Sequence, residues 1–171
     1  MNRDLLCLLL YYRLYQELTS VVNFRVPTYK AVRFIADNMR DSDVAEVWAS
    51  GRYTPLSALD ISVSGSDKVV VVYHDDTPLA VLGLVVRDLL AGVGTPWLLS
   101  AKHALGHKRQ FLKLAPSIIE EMLDICPKLV NHVYIENKLT IRWLRWLGFT
   151  IDDAVPIQGT GELFHKFHME R

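Results

Sequence analysis

His103 and His107 are the residues best suited by type and spacing to do chemistry. They stand one helical turn apart, an arrangement that can hold a metal ion or set a base beside a cofactor cleft. No Glu follows them in the HExxH manner and no third ligand is evident, so no metal is expected, and His103 stands as a candidate base. Glu136, next to Asn137 at the end of an apolar run, is a second candidate base, although such a residue also reads as a surface carboxylate. Lys102, Lys108 and Arg109 surround Gly106 and could neutralise phosphate at a helix start. They equally suit a solvated helix start, and both readings stand. His165 and His168, three apart in a strand pattern, are expected on opposite faces. Trp143 and Trp146 read as packing residues. Cys7 and Cys126 read as packed thiols, since no CxxC or Cys/His ligand spacing occurs. No Ser-His-Asp order, paired-carboxylate spacing or GxGxxG turn is present.

These residues need elements to place them. The spacing predicts a helix after Pro27, with Val32, Ile35, Ala36 and Met39 on one stripe. A second helix follows, capped by Asp41 or Asp43 and carrying Val44, Val47 and Trp48. A short helix over 55–61 and a turn over 64–66 come next. Residues 69–73 and 79–86 form a hairpin of two strands, joined by a turn over 74–78. Residues 97–99 form a short strand. A long helix from about 108 to 125 shows Phe111, Leu112, Ala115, Ile118, Ile119, Met122 and Leu123 on one face, with Pro116 as a kink or a first-turn boundary. Residues 129–135 are a strand, Asn137 opens a compact helix, and Gly148 closes it. Extended structure resumes over 149–151, and a last strand spans 161–169. This order implies an α/β (α+β layered) fold, a mixed and mostly antiparallel sheet flanked by helices. The strand-helix-strand series implies one parallel pair, linked through the long helix.

The chain has 171 residues, suited to one domain, with 19 basic residues balancing 19 acidic ones. Without a basic surplus, no nucleic-acid partner is expected. Neutrality leaves little repulsion between copies, so self-association is open. Residues 1–26 read as an amphipathic helical extension in which Leu6, Leu9, Leu10, Leu14 and Leu18 recur near helical spacing. The apolar run over 5–12 is shorter than the roughly twenty residues a span requires, and the polar face lacks Lys/Arg richness, so membrane binding is not expected. This helix is expected to dock on the domain of 27–171 or on a second copy.

The segment NKLTIRWLRWLGF over 137–149 resembles the signature of the GNAT (N-acetyltransferase) superfamily, in which Asn opens the helix after the fifth strand and Gly-Phe closes it. The element order from about 29 to 169 is similar as well. In more detail PTYKAVRFIADNMR over 27–40, GTPWLL over 94–99 and IRWLRWLGF over 141–149 resemble a GNAT-like family of tailed phages and prophages, which includes podophage internal virion or morphogenesis proteins.

The superfamily resemblance implies acetyl-CoA or CoA as cofactor. Its pantetheine would run along Trp97, Leu98 and Leu99 where the sheet splays. Its pyrophosphate would lie over Gly106, His107 and Lys108, and Asn137 would face the same opening. His103 would sit where that cleft opens. The phage resemblance implies virion or other phage proteins as partners and the host cytoplasm or virion as location. Two departures stand out. The loop SAKHALGHKR over 100–109 has one glycine where the family has a glycine-rich turn, and Leu144 stands where many members carry a proton-donating Tyr. Two functions are consistent with this: a fold retained as a binding module in virion assembly, or an acetyl-CoA-dependent N-acetyltransferase with an unknown amine acceptor.

Overall fold

The computed structural model describes residues 22–171. They form a seven-stranded sheet in the order β1-β2-β3-β4-β5-β7-β6. The strands are β1 (Val22–Arg25), β2 (Lys68–His74), β3 (Thr77–Asp88), β4 (Val93–Ser100), β5 (Lys128–Tyr134), β6 (Thr150–Pro156) and β7 (Leu163–Glu170). The helices are α1 (Tyr29–Asp37), α2 (Asp41–Gly51), α3 (Pro55–Gly65), α4 (Lys108–Ile125) and α5 (Lys138–Trp146), with a 3-10 helix at Lys102–His107. All neighbouring strands are antiparallel except β4 and β5, which are parallel and joined through α4. The expected mixed sheet and its parallel pair are present.

Alternation along the strands splits the core in two. Val70, Val72, Leu82 and Leu84 face α4 and α5, where Leu123, Ile141 and Leu144 pack. Val71, Tyr73 and Val81 face α1–α3, where Val32, Ile35 and Leu59 pack. Trp97 and Leu99 join the second layer and Leu98 the first. Gly83 is fixed by this packing, because a Cβ there would lie 2.7 Å from Trp97 Nε1. The ring closes over β3 only where no side chain intervenes.

Several sequence expectations change. Residues 22–25, assigned to the N-terminal extension, are the edge strand β1, paired with β2 from Val22↔His74 to Arg25↔Val71. The expected helix over the preceding residues lies outside the described residues. Neither Asp41 nor Asp43 caps α2; Arg40 holds the N-cap position and both acids fall in the first turn. Val44 and Trp48 are exposed rather than on the buried stripe. The helix α3 runs on through the expected turn at Ser64 and Gly65. The helix α4 continues past Pro116, whose exposed position lets the freed carbonyl of the preceding turn meet water. Within α4, Leu114 is buried and Leu112 is exposed. The strand β6 extends to Pro156 although Asp152 and Asp153 break its apolar pattern, since an edge strand needs only its pairing with β7. A bulge between Ile151 and Ala154 turns Asp152 toward β7. Both His165 and His168 reach Asp152 there, one at 2.7 Å to its carbonyl and the other at 3.3 Å to its carboxylate, while β7 itself pairs with β5 without a register shift.

Candidate functional site

The parallel pair opens almost as soon as it forms. Only Val93↔Lys128 and Gly94↔Leu129 are in register, and beyond them β4 and β5 diverge. Asn131 Nδ2 bridges the start of the gap by donating to the Pro96 carbonyl at 2.8 Å. The far end is closed by the turn after α1, where Arg40 N–H donates to the Ser100 carbonyl at 2.9 Å. Pro96 and Ser100 thus direct their backbone groups into the gap, whereas Ala101 N–H donates to Leu79 in β3. Alternation then turns the N–H and C=O of Leu98 into the gap as well. The gap is the waist of a cavity of about 720 Å³ that passes from the α4 face of the sheet to the α2 face. Trp97, Leu98 and Leu99 all line it.

At the α4 face, α4 begins with Lys108 in the cavity wall. Its first turn holds no acidic residue and its N-cap, His107, makes no side-chain capping bond. The helix dipole and the Lys108 ammonium therefore both favour an anion. A Cβ at Gly106 would meet nothing within 4 Å, so the backbone there is approachable, though no glycine-rich loop wraps it.

The two histidines do not face this space. His103 Nε2 lies 3.0 Å from the Pro78 carbonyl and its ring packs edge-on to Phe34 at 5.7 Å. Both contacts hold it against β3 and α1 and away from the cavity wall, which corrects its assignment as the base. His107 stacks on His74 with ring centroids 4.0 Å apart. Burial, helped by the charges of His74 and His103, keeps its pKa below the ordinary histidine value, with Asp75 opposing. Glu136 is exposed beside Lys138 at 3.8 Å and is likewise absent from the cavity wall.

The carboxylate that does reach the cavity is Glu46 on α2. Its Oε2 accepts a hydrogen bond from Asn137 Nδ2 at 2.6 Å. Burial is the main cause that pushes its pKa up to about 7, with the neighbouring Asp43 charge adding to the rise. The Asn137 hydrogen bond, a backbone bond from Tyr134 and the Arg40 charge hold it down. A carboxyl poised there exchanges a proton readily at neutral pH. Asn137 lies only 2% exposed; it makes no side-chain cap to α5, and its Oδ1 is buried without a hydrogen-bond partner. Its expected capping role is therefore not what the side chain does.

Beside Glu46, Asp43 is fully engaged. Its Oδ1 accepts from Arg40 at 2.5 Å, and its Oδ2 accepts from the Ser100 N–H and hydroxyl, each at 3.0 Å. Arg40 also donates to Thr140 Oγ1 at 2.9 Å, tying α2 to α5. Asp43, Glu46 and Ser50 all line the cavity at helical spacing. That polar row is the sequence signal for Glu46, and the apolar Val44, Val47 and Trp48 on the same helix obscure it. Leu144 is buried in the core and offers no proton, while Trp143 lines the cavity. Among the described residues no cluster of His, Cys, Asp and Glu could hold a metal ion.

Solved structures carry the same architecture. Spermidine N-acetyltransferase from Vibrio cholerae, in complex with CoA and spermine, superposes with a TM-score of 0.65 at 15% identity, over 87% of this chain and 95% of that one. The chain has the GNAT fold. A candidate phosphinothricin N-acetyltransferase matches at 0.63 and 13% identity, over 87% and 98%. A dodecameric form of the Vibrio cholerae enzyme matches at 0.60 and 15%, over 87% and 93%. Neither a family model nor a curated relative matches the sequence. In this GNAT fold the splay, the α4 start and the Glu46–Asn137 pair share one cavity. Among the described residues no helix is long and apolar enough to cross a membrane.

Proposed function

We propose that this protein is an acyl-CoA-dependent N-acyltransferase. The observation that carries the reading is the parting of β4 and β5, which turns the Leu98 backbone toward a cavity that runs on to the start of α4. A pantetheine amide could pair with Leu98, and a pyrophosphate suits the α4 N-terminus with Lys108. His107 and Gly106 flank that position without facing the cavity. A neighbour of the same fold is solved with CoA. Coenzyme A, when bound, supplies a thioester whose acyl carbon an amine attacks. The chain's part is to hold the cofactor by these groups, exclude water with the apolar walls and manage protons at Glu46.

A second reading keeps the fold as a binding module in virion assembly, located in the virion or host cytoplasm with phage proteins as partners. Its support is the sequence resemblance over 27–40, 94–99 and 141–149. Self-association through the N-terminal segment belongs to either reading, and one neighbour is dodecameric. A thermal-shift titration with acetyl-CoA decides between them. Saturation at a hundred times the dissociation constant adds about 2.7 kcal/mol of stability. A clear rise in melting temperature supports the transferase, and no rise supports the module.

A further inference from the structure

The cavity has two chemically different ends. Toward α4 it carries Lys108; toward α2 it carries Glu46 and Asp43, the only carboxylates in its described wall, with the Arg40 guanidinium paired to Asp43 beside them, and Arg142 of α5 lines it as well. Asp43 has both oxygens committed to Arg40 and Ser100. One carboxylate is therefore left to meet a cation at this end. Tyr53, Ile61 and Trp97 give the cavity wall much apolar and aromatic surface. A buried cation without a partner is costly, so each additional charge on a ligand would need its own anion.

The Asn137 side chain bears on the same point. An Asn at an N-cap normally satisfies a helix N–H and contributes about 1 kcal/mol. Here it forgoes that bond, leaves Oδ1 unsatisfied and spends its N–H on Glu46. A buried polar group left unpaired in this way is uncommon and calls for a reason. Holding Glu46, which also takes a backbone bond from Tyr134, in the cavity wall is such a reason.

We propose that this end takes a single primary ammonium on an apolar or aromatic body, with Glu46 binding it and receiving its proton and Asn137 positioning Glu46. The chemistry after binding rests on the acyl-transfer reading. The ammonium gives one proton to the carboxylate, leaving a neutral amine and a carboxylic acid. The amine nitrogen then bonds the thioester carbon, the C–S bond breaks, and the thiol leaves with the second proton. Polyamines fit poorly, because their further cations find no free carboxylate in the described wall. In this respect the chain differs from its spermine-bound structural neighbour.

The test uses the full chain and separate titrations with 2-phenylethylamine, 2-phenylethanol, spermidine and CoA at about pH 7.5. The proposal expects 2-phenylethylamine to bind more tightly than both the alcohol and spermidine. Glu46→Gln should weaken the amine tenfold or more and leave CoA affinity within about twofold. Spermidine binding best, or Glu46→Gln binding the amine as the parent does, overturns it. Amine binding that depends on Glu46 without any CoA binding would sink the acyl-transfer reading and leave the amine site standing. Asn137→Ala gives a second check that a purely structural role would not pass. Loss of its hydrogen bond should move the midpoint of the pH–rate profile upward, because that bond favours the ionised carboxylate. An unmoved midpoint removes Asn137 from the scheme.

Discussion

The two ends of α5 are built on opposite terms. At its C-terminus, Phe149 N–H donates to the Leu144 carbonyl at 3.0 Å and Gly148 N–H to Arg145 at 3.1 Å. With Gly148 at φ +94°, this is a Schellman closure made wholly from local backbone. At its N-terminus Asn137 occupies the cap position, yet its side chain turns away to Glu46, a residue 91 positions earlier. One end obeys the rule for its residue type and the other breaks it. Proteins tend to break local rules where a distant partner matters more, and such places are the first to examine for function.

The largest expected effect lies at the end that breaks the rule. Glu46 has its pKa raised from 4.5 to about 7. Between those values the folded state holds a proton that the unfolded chain has released, so this group makes stability fall as pH rises. Above about pH 7 the full penalty for its charge is present. Glu46→Gln removes that charge and should stabilise by on the order of 2 kcal/mol at about pH 8, and by almost nothing at about pH 4. Urea melts at the two pH values measure it, and equal effects at both would show that Glu46 is not desolvated.

The start of α4 offers the contrasting helix end, one with no side-chain capping bond. Lys108→Glu reverses the charge at this helix start. If an anion sits there, CoA affinity should fall about tenfold, roughly 1.4 kcal/mol, and the loss should shrink as salt rises. A loss that ignores salt would place the phosphates elsewhere.

What could be read from the sequence divides along the same line. Gly148, the hairpin of β2 and β3, and the crossover from β4 through α4 to β5 all follow from periodicity and turn chemistry over short stretches. Neither β1 nor β6 was legible as a full strand, because each is an edge whose pairing partner supplies what its own pattern lacks. Trp97, Leu98, Leu99, Lys108 and Asn137 were expected at the cavity and all line it. Glu46 was missed because its significance depends on Asn137, which only the fold brings near. His103 is placed near the cleft by the resemblance, which does not reveal that Pro78 and Phe34 hold its ring.

At the rule-obeying end the expected effect is smaller. Gly148→Ala must hold a Cβ at φ +94°, while the space itself is open, with Met169 Cε at 3.5 Å. The cost is then conformational, about 1 kcal/mol, and the same at pH 5 and pH 8. A cost that varied with pH would mean that this end, too, is coupled to a titrating group.

The smallest effect should come from Asn137→Ala at acid pH. If Asn137 capped α5, its removal would cost about 1 kcal/mol at any pH. Thr28 and Thr54, which do accept the Ala31 and Ser57 N–H groups at 3.2 Å each, serve as the standard for that loss. Asn137 makes no such bond. At about pH 4.5 Glu46 is protonated, and the bond from Asn137 to it is an ordinary neutral one. The variant should then lose only a few tenths of a kcal/mol, less than Thr28→Ala in the same buffer. At about pH 8 the same substitution strips a charge-assisted bond from an ionised, desolvated carboxylate, and the loss should grow to about 1 kcal/mol or more. Parallel melts of Asn137→Ala and Thr28→Ala at both pH values therefore separate the two meanings of an Asn at a helix start. A pH-independent loss equal to that of Thr28→Ala would return Asn137 to the role of a cap. The two ends of α5 would then be alike, and Glu46 would lose its reason for being held.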